Sequence, residues 1–394
     1  MLVKTSLSKS NVLLLAVATA VVVANLNYIQ PLEPLIAESF AVSKATVGAV
    51  AMLTQLGYAC GLLFLVPLGD KFDRNHLIKF MIGLAVFALL AAYLAPNITV
   101  FAIASLLIGI TSVAPQMIIP FTAALTHGMR TGAVLGNVLS GLLTGILLSR
   151  AIAGLIAGIM AWQNVYLLAA IAQVILLVVL QKRLPQDFRG HVDRSYLAVL
   201  ASLPHLLRSQ KHLQGAAING FALFGTSNVL WATLAFYLQA QFHLGATAAG
   251  AMGLLGITGI LFASVIGRMV DHYSPRLTIG MGIGFSTLAF VIFWLFGHAL
   301  IGLIIGIIAL DLGTQFGQVS NQAIVQALGK ETNSRNNSVF MFSYFLGGSL
   351  ATLCATWAWS HWGWSGVCAV AVGFLAIAII GHFGWPEPKQ LAHS

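Results

Sequence analysis

The chain has 394 residues, of which 59% are hydrophobic and only 7% charged, and its mean hydropathy is +0.92. That composition leaves too little polar surface to cover a globule of this length in water, so the chain reads as a membrane protein and a soluble enzyme is excluded. A net charge of +9 would point to nucleic acid in a soluble chain, but here its meaning depends on where the charges fall.

Twelve apolar runs are long enough to cross a hydrocarbon core about 30 Å thick as helices. They cover residues 11–32, 45–68, 77–95, 98–122, 131–158, 162–181, 213–240, 247–270, 276–297, 299–323, 334–358 and 364–384. The runs are continuous rather than alternating, which excludes a closed barrel. "MLVKTSLSKSN" leads straight into a run of spanning length, with no short core and no small-residue cleavage site, so the first run is read as the first span.

Within that first run, "ANLNYIQPLEP" carries Asn25, Asn27, Gln30 and Glu33 toward its outer end, where Glu33 is either an intramembrane acid or an interfacial one. The second run holds Gln55 and Tyr58, and the fourth holds Gln116 with Pro115 and Pro120, residues that permit bending. Arg150 lies inside the fifth run, "GLLTGILLSR", and either serves at depth or snorkels outward. Between the sixth and seventh runs, residues 182–212 hold six of the nineteen basic residues and read as a linker. Asn219 and Asn228 follow in the seventh run, and Tyr344 lies in the eleventh.

The tenth run contains "GIIALDLGTQFGQVSNQ", residues 306–322, with an aspartate at mid-depth. A charge at the centre of a bilayer costs about 2.5–3.5 kcal/mol by insertion scales, so Asp311 should be useful or well paired. At 100° per residue, Asp311, Gln315, Gln318 and Gln322 share one face, while Leu312, Phe316, Val319 and Ala323 share the other. Such a helix is expected between an aqueous cavity and packed neighbours, although amides can also serve only to bond helices together. Arg150 is the obvious counter-charge, as the other ionisable side chain clearly inside the core, and its planar fork would equally suit a carboxylate on a substrate. Cys60, Cys354 and Cys368 lie in apolar runs without metal-like spacing, so neither a metal nor a cofactor is expected.

Placing the N-terminus in the cytoplasm puts seventeen of the nineteen Lys and Arg residues on that side, with only Lys44 outside and Arg150 in the core. The positive-inside rule then places both termini in the cytoplasm. A repeat supports two halves: "VPLGDKFDRNHLI" at 66–78 follows the second run, and "GRMVDHYSPRLTI" at 267–279 follows the eighth. The expected architecture is an all-α polytopic membrane protein: twelve transmembrane helices in two six-helix pseudo-repeats, residues 1–181 and 213–394, around a central cavity.

"NYIQPLEPLIAESF", "TQLGYACGLLFLVPLGDKFDRNHLI", "LDLGTQFGQVSNQ" and "SRNNSVFMFSYFLGG" together resemble a major facilitator superfamily transporter. The likeness is to the twelve-helix drug:proton antiporter type, in a subgroup of efflux permeases of the bacterial inner membrane. It implies alternating access, no cofactor, and a small-molecule substrate and protons as partners in the lipid bilayer, with a monomer expected. It also implies that Asp70 and Arg74, with Asp271 and Arg276 as the weaker counterpart, form a cytoplasmic latch. An acid in the first helix carries coupling in some related antiporters, which makes Glu33 a second proton candidate beside Asp311.

Three departures stand out. Val66 and Asp73 replace glycines of the signature loop, Ser105 stands where the antiporter motif has an intramembrane Arg, and the Gly-Pro core of helix 5 is reduced to Gly141 and Gly145. The expected cavity set is therefore Asn27, Gln30, Gln55, Tyr58, Gln116, Asn219, Asn228, Gln315, Gln318, Gln322 and Tyr344, around Asp311 and Arg150. Such a set suits a polar or zwitterionic substrate better than a bare lipophilic cation.

Proton-driven uptake of a polar metabolite or siderophore would use the same parts. An intramembrane enzyme is disfavoured, because the eleven histidines fall in loops or at helix ends rather than at mid-depth. No filter repeat, spaced-Arg sensor or phosphate-binding G-x-x-x-x-G-K-S/T loop is present, which argues against a channel or direct ATP drive.

Overall fold

A computed structural model describes residues 8–126, 131–184, 196–329 and 332–385, and among these it contains helices and turns but no strand. Eleven helical stretches among the described residues are long and apolar enough to cross a membrane. They are span 1 (Lys9–Ser39), span 2 (Lys44–Gly69), span 3 (Arg74–Tyr93), span 4 (Ile98–Ala123), span 5 (Val134–Ile159) and span 6 (Asn164–Arg183). After the linker come span 7 (Lys211–Phe242), span 8 (Ala246–Ala263), span 9 (Pro275–Phe296), span 10 (Leu300–Ala327) and the long stretch Ser334–Gly384.

That last stretch holds 51 residues, about 76 Å of helix at 1.5 Å per residue and more than twice the hydrocarbon thickness. It is divided at Gly363, whose φ of 60° and ψ of −145° interrupt the helix in a conformation open mainly to glycine. The two arms are spans 11 and 12, which brings the number of crossings to the expected twelve. Between spans 6 and 7 the sequence suggested only a polar linker, but residues Tyr196–Ser209 form a helix. Its Leu203 and Leu206 are buried, so an apolar edge too short to span has found packing that hydropathy alone does not register.

Several spans are interrupted near mid-depth. Span 1 is helical over Lys9–Ala24 and Ile29–Ser39, span 4 over Ile98–Thr111 and Ala114–Leu125, and span 7 over Lys211–Trp231 and Leu234–Phe242. Span 8 passes through a 3₁₀ turn, Gly253–Gly256, between Ala246–Met252 and Ile257–His272. Pro31 and Pro115 fall in the first turn of the second piece of spans 1 and 4, where a missing N–H breaks the ladder least. In lipid the freed polar groups must find partners inside the protein. Asn25 Nδ2 donates to Ser112 Oγ at 2.9 Å, and Gln173 Nε2 donates to Asn25 Oδ1 at 3.0 Å, so one buried network joins the breaks of spans 1 and 4 to span 6.

The ends meet in pairs on the terminus side: Arg183 Nη1 of span 6 donates to Ser10 Oγ of span 1 at 2.9 Å, and Trp385 Nε1, just after span 12, donates to Gln214 Oε1 of span 7 at 3.1 Å. On this side the linker helix touches both groups of spans. Tyr196 Oη donates to the Phe64 carbonyl at 2.7 Å, and Arg335 Nη1 donates to Ser202 Oγ at 3.1 Å. Toward the opposite side the spans themselves meet. Gly154 of span 5 faces Gly250 of span 8, where an added Cβ would lie 3.1 Å from the Gly154 Cα, and Thr247 Oγ1 donates to the Gly154 carbonyl at 3.1 Å. Lys44 Nζ lies 5.6 Å and 5.5 Å from the ring centroids of Phe236 and Trp359, across the same junction. These contacts close the far side over the central cavity.

Candidate functional site

The cavity holds about 1200 Å³ of empty space, its open part included, and is walled by spans 1, 2, 4, 5, 7, 8, 10 and 11. Ten of the residues expected from the sequence line it: Asn27, Gln55, Tyr58, Gln116, Arg150, Asn228, Asp311, Gln315, Gln318 and Tyr344. The polar stripe of span 10 faces it through Asp311, Thr314, Gln315 and Gln318, while Phe316 packs on Phe285 of span 9 with centroids 5.7 Å apart.

Arg150 sits at the closed end. Its Nε donates to Gln30 Oε1 and its Nη2 to Asn27 Oδ1 at 3.3 Å, and its guanidinium carbon lies 4.1 Å from the Trp231 ring centroid. The contact with Trp231 is a cation–π stack, worth about 0.5–2 kcal/mol depending on how dry it is. The head is thus held inside, by neutral amides and a ring, rather than snorkelling to the outer surface. The alternation of the break in span 1 allows this: Asn27 lies in the interruption and Gln30 in the turn just beyond it.

Asp311 lies across the same turn of span 8. A methyl group added at Gly256 would come within 3.3 Å of Asp311 Oδ2, and one added at Gly253 within 3.0 Å of Arg150 Cδ. The glycines at 253 and 256 therefore leave room for Arg150 and Asp311 that a side chain at either position would occupy. Asp311 Oδ2 is buried with no hydrogen-bond partner, and the hydrogen bonds of Arg150 go to Gln30 and Asn27. The two charges share the cavity without joining directly. Gln55 repeats the pattern more mildly: its Nε2 donates to Asn228 Oδ1 at 2.7 Å, while its Oε1 is buried and unpartnered.

Nearer the terminus side the lining is aromatic. Phe224 stacks on Tyr344 at 4.0 Å, and Phe345 meets Tyr58 edge-on at 4.6 Å and Phe224 at 5.2 Å. Gln116 Nε2 donates to Tyr58 Oη at 3.3 Å, and Tyr344 Oη donates to Gln318 Oε1 at 3.4 Å. Phe224, Ser227, Trp231, Thr314 and Phe345 are lining residues that the sequence reading did not single out. Positions 224, 227, 228 and 231 obey the same helical spacing that revealed the stripe on span 10, so the wheel drawn for that span would have found them on span 7.

Other expected residues lie elsewhere. Gln30 supports Arg150 without lining the cavity, Gln322 Nε2 donates to Asn337 Oδ1 at 3.2 Å, and Asn219 lines a separate small pocket with Arg276 and His382. Glu33 is fully buried outside the cavity, in the cluster around Leu32, Phe101 and Trp162, and neither carboxyl oxygen has a hydrogen-bond partner. At the loop after span 2, Arg74 Nε donates to the Gly69 carbonyl at 2.9 Å; in the second half Arg276 lies 5.7 Å from the Phe383 ring centroid. The side chains of Asp70 and Asp271 lie outside the described part of the structure.

A family model described as Major Facilitator Superfamily matches residues 15–352 and 216–394 of the chain. The chain called "Uncharacterized transporter YgaY" in Escherichia coli O157:H7 is 35% identical over 381 residues, covering 96% of this chain and 95% of that one. "Probable transporter SCO4007" of Streptomyces coelicolor is 31% identical over 366 residues, covering 92% and 85%. Among solved structures, the nucleoside transporter NupG superposes with a TM-score of 0.77 at 15% identity, covering 94% of this chain and 98% of that chain. A bacterial homologue of the human lysosomal transporter Spinster, inward-facing and occupied, superposes with a TM-score of 0.74 at 10% identity over 94% of each chain. At such identities the structural likeness concerns the fold alone.

Proposed function

Because the chain belongs to the Major Facilitator Superfamily, and so is a membrane transporter of small molecules rather than an enzyme, we propose that it is a proton-coupled antiporter exporting a small organic solute by alternating access. The observation that carries this reading is the unpartnered carboxyl oxygen of Asp311 in a cavity walled by spans from both halves. A carboxylate in that position can hold either a proton or a cationic group of the cargo. Mutual exclusion at one group couples the two, because each must leave before the other binds.

Alternating access then needs the far-side junction to open and the terminus side to close. Beside the close packing of Gly154 on Gly250, the cation–π contacts of Lys44 and one hydroxyl–carbonyl bond are contacts that can break in every cycle. With the basic loops toward the cytoplasm, the closed side faces outward and the protein works in the bacterial inner membrane as a monomer. Uptake by symport is the second reading. It is favoured by Arg150, whose donors suit an anionic metabolite, and by Ser105 in place of the antiporter arginine.

The test is flux of candidate solutes in proteoliposomes under an imposed pH gradient. Antiport predicts solute movement against an opposed proton flow that collapses with an uncoupler. Flux indifferent to both the gradient and the uncoupler would remove proton coupling, and flux running with the protons would favour symport.

A further inference from the structure

We propose that the cargo is a zwitterion bearing an aromatic ring, of the chemical class of the aromatic amino acids. Its two charges are taken by Arg150 and Asp311, and its ring packs on the cavity face of the aromatic wall formed by Tyr58, Phe224, Tyr344 and Phe345. The proposal rests on the transporter reading above and deepens it.

The charged end of the cavity is unsatisfied in two opposite senses. Arg150 has five N–H donors, and the hydrogen bonds it makes go to neutral amides, so a planar anion would find donors and a permanent charge there. Asp311 Oδ2 is a buried acceptor without a donor, and an ammonium group brings three N–H donors. The two charges already act on each other across the cavity, yet a simple organic cation would engage only Asp311 and a simple anion only Arg150. A neutral lipophile would satisfy neither. One small group carrying both charges side by side answers both needs, and the glycines at 253 and 256 let span 8 approach Arg150 and Asp311 closely.

The second feature is a ruler. On span 7, Trp231 stacks on Arg150 and Phe224 belongs to the aromatic box; on span 10, Asp311 is the acid and Gln318 accepts from Tyr344 of the box. Each pair is seven residues apart, two turns or about 10 Å along the helix. Two independent helices thus set the same distance between the charged end and the aromatic end. A zwitterionic head joined to a ring by a short linker spans it, with the ring offset or edge-on to its neighbours, as aromatic pairs prefer. Gln116 and Gln318 stand at the ring end, where they can bond an indole N–H or a phenol.

The experiment is equilibrium binding of radiolabelled tryptophan to the purified full chain in lipid nanodiscs, with no pH gradient, in competition with tryptamine, indole-3-propionate and alanine. Each competitor lacks one feature: the carboxylate, the ammonium or the ring. Each should compete at least about tenfold less well than unlabelled tryptophan, one order of magnitude in Kd. Equal competition by tryptamine or indole-3-propionate would overturn the two-charge head, equal competition by alanine would overturn the ring box, and absence of saturable binding would overturn the class.

Asp311→Asn supplies a readout that a merely structural role would not move. It should bring tryptophan down to the affinity of indole-3-propionate while leaving indole-3-propionate itself unchanged. Equal loss for both ligands would overturn the ammonium assignment. Because binding is read without a gradient, a failure of proton coupling in the flux assay and a failure of this substrate class are separate results.

Discussion

Among the described residues, two acids of the membrane-spanning part, Asp311 and Glu33, hold a buried carboxyl oxygen, and their surroundings differ. Asp311 is on an unbroken helix, span 10, and turns toward a cavity walled by spans from both halves. Glu33 is on the second piece of span 1, fully buried and outside the cavity lining. Each has a carboxyl oxygen without a hydrogen-bond partner, so burial and lack of a partner do not separate them. Access does: one group lines the cavity, where a solute can meet it, whereas the other is fully buried outside that lining. An intramembrane acid is therefore informative through what it faces rather than through its depth.

The largest expected effect breaks the comparison directly. Asp311→Asn should reduce gradient-driven transport in proteoliposomes by at least about 10², as expected when the transported charge loses its site, while Glu33→Gln retains most of it. The reverse result would make span 1 the coupling helix and end the contrast. Next in size, Gly253→Val places methyl groups where the Arg150 side chain now lies. Ligand affinity should fall by roughly tenfold or more, since the Arg150 side chain must shift to make room; unchanged affinity would show that Arg150 does not need this position.

A smaller effect concerns stability. An unsatisfied buried polar group costs about 1–3 kcal/mol, so Glu33→Leu, which removes two orphan oxygens, should leave the melting temperature equal or higher. A clear fall would reveal a polar role for Glu33. The smallest effect belongs to the far side: Lys44→Ala removes one ammonium shared between Phe236 and Trp359, worth about 0.5–1 kcal/mol in all at an exposed site. It should shift the balance toward the outward-open form by less than about tenfold, read as faster labelling of a cysteine placed below the junction. No change in labelling would place the closing free energy at Gly154 and Gly250 instead.

Much of the molecule was legible before any coordinates. Hydropathy places nearly every span to within a few residues, because a bilayer demands long apolar helices and tolerates little else. The stripe Asp311, Gln315 and Gln318 was legible from a 100° wheel, but Gln322 was not, since by that turn the helix has met Asn337. The aromatic box escaped because Phe224, Trp231 and Phe345 look like ordinary membrane residues, and only their convergence from spans 7 and 11 makes them a wall. Gln30 was anticipated as lining and proved to be a support for Arg150, a difference set by the break in span 1.

What the sequence alone determined is the class of the problem: twelve crossings, a duplicated unit, and two charges that lipid would not tolerate without a reason. Those follow from solvent and periodicity, which act on each segment separately. Only the tertiary structure decided that Arg150 and Asp311 sit on either side of one glycine turn with no direct bond between them, and that Glu33 is sealed away from both. Such arrangements depend on which helices meet and at what height, and residues 120 or more positions apart carry no local signal of it.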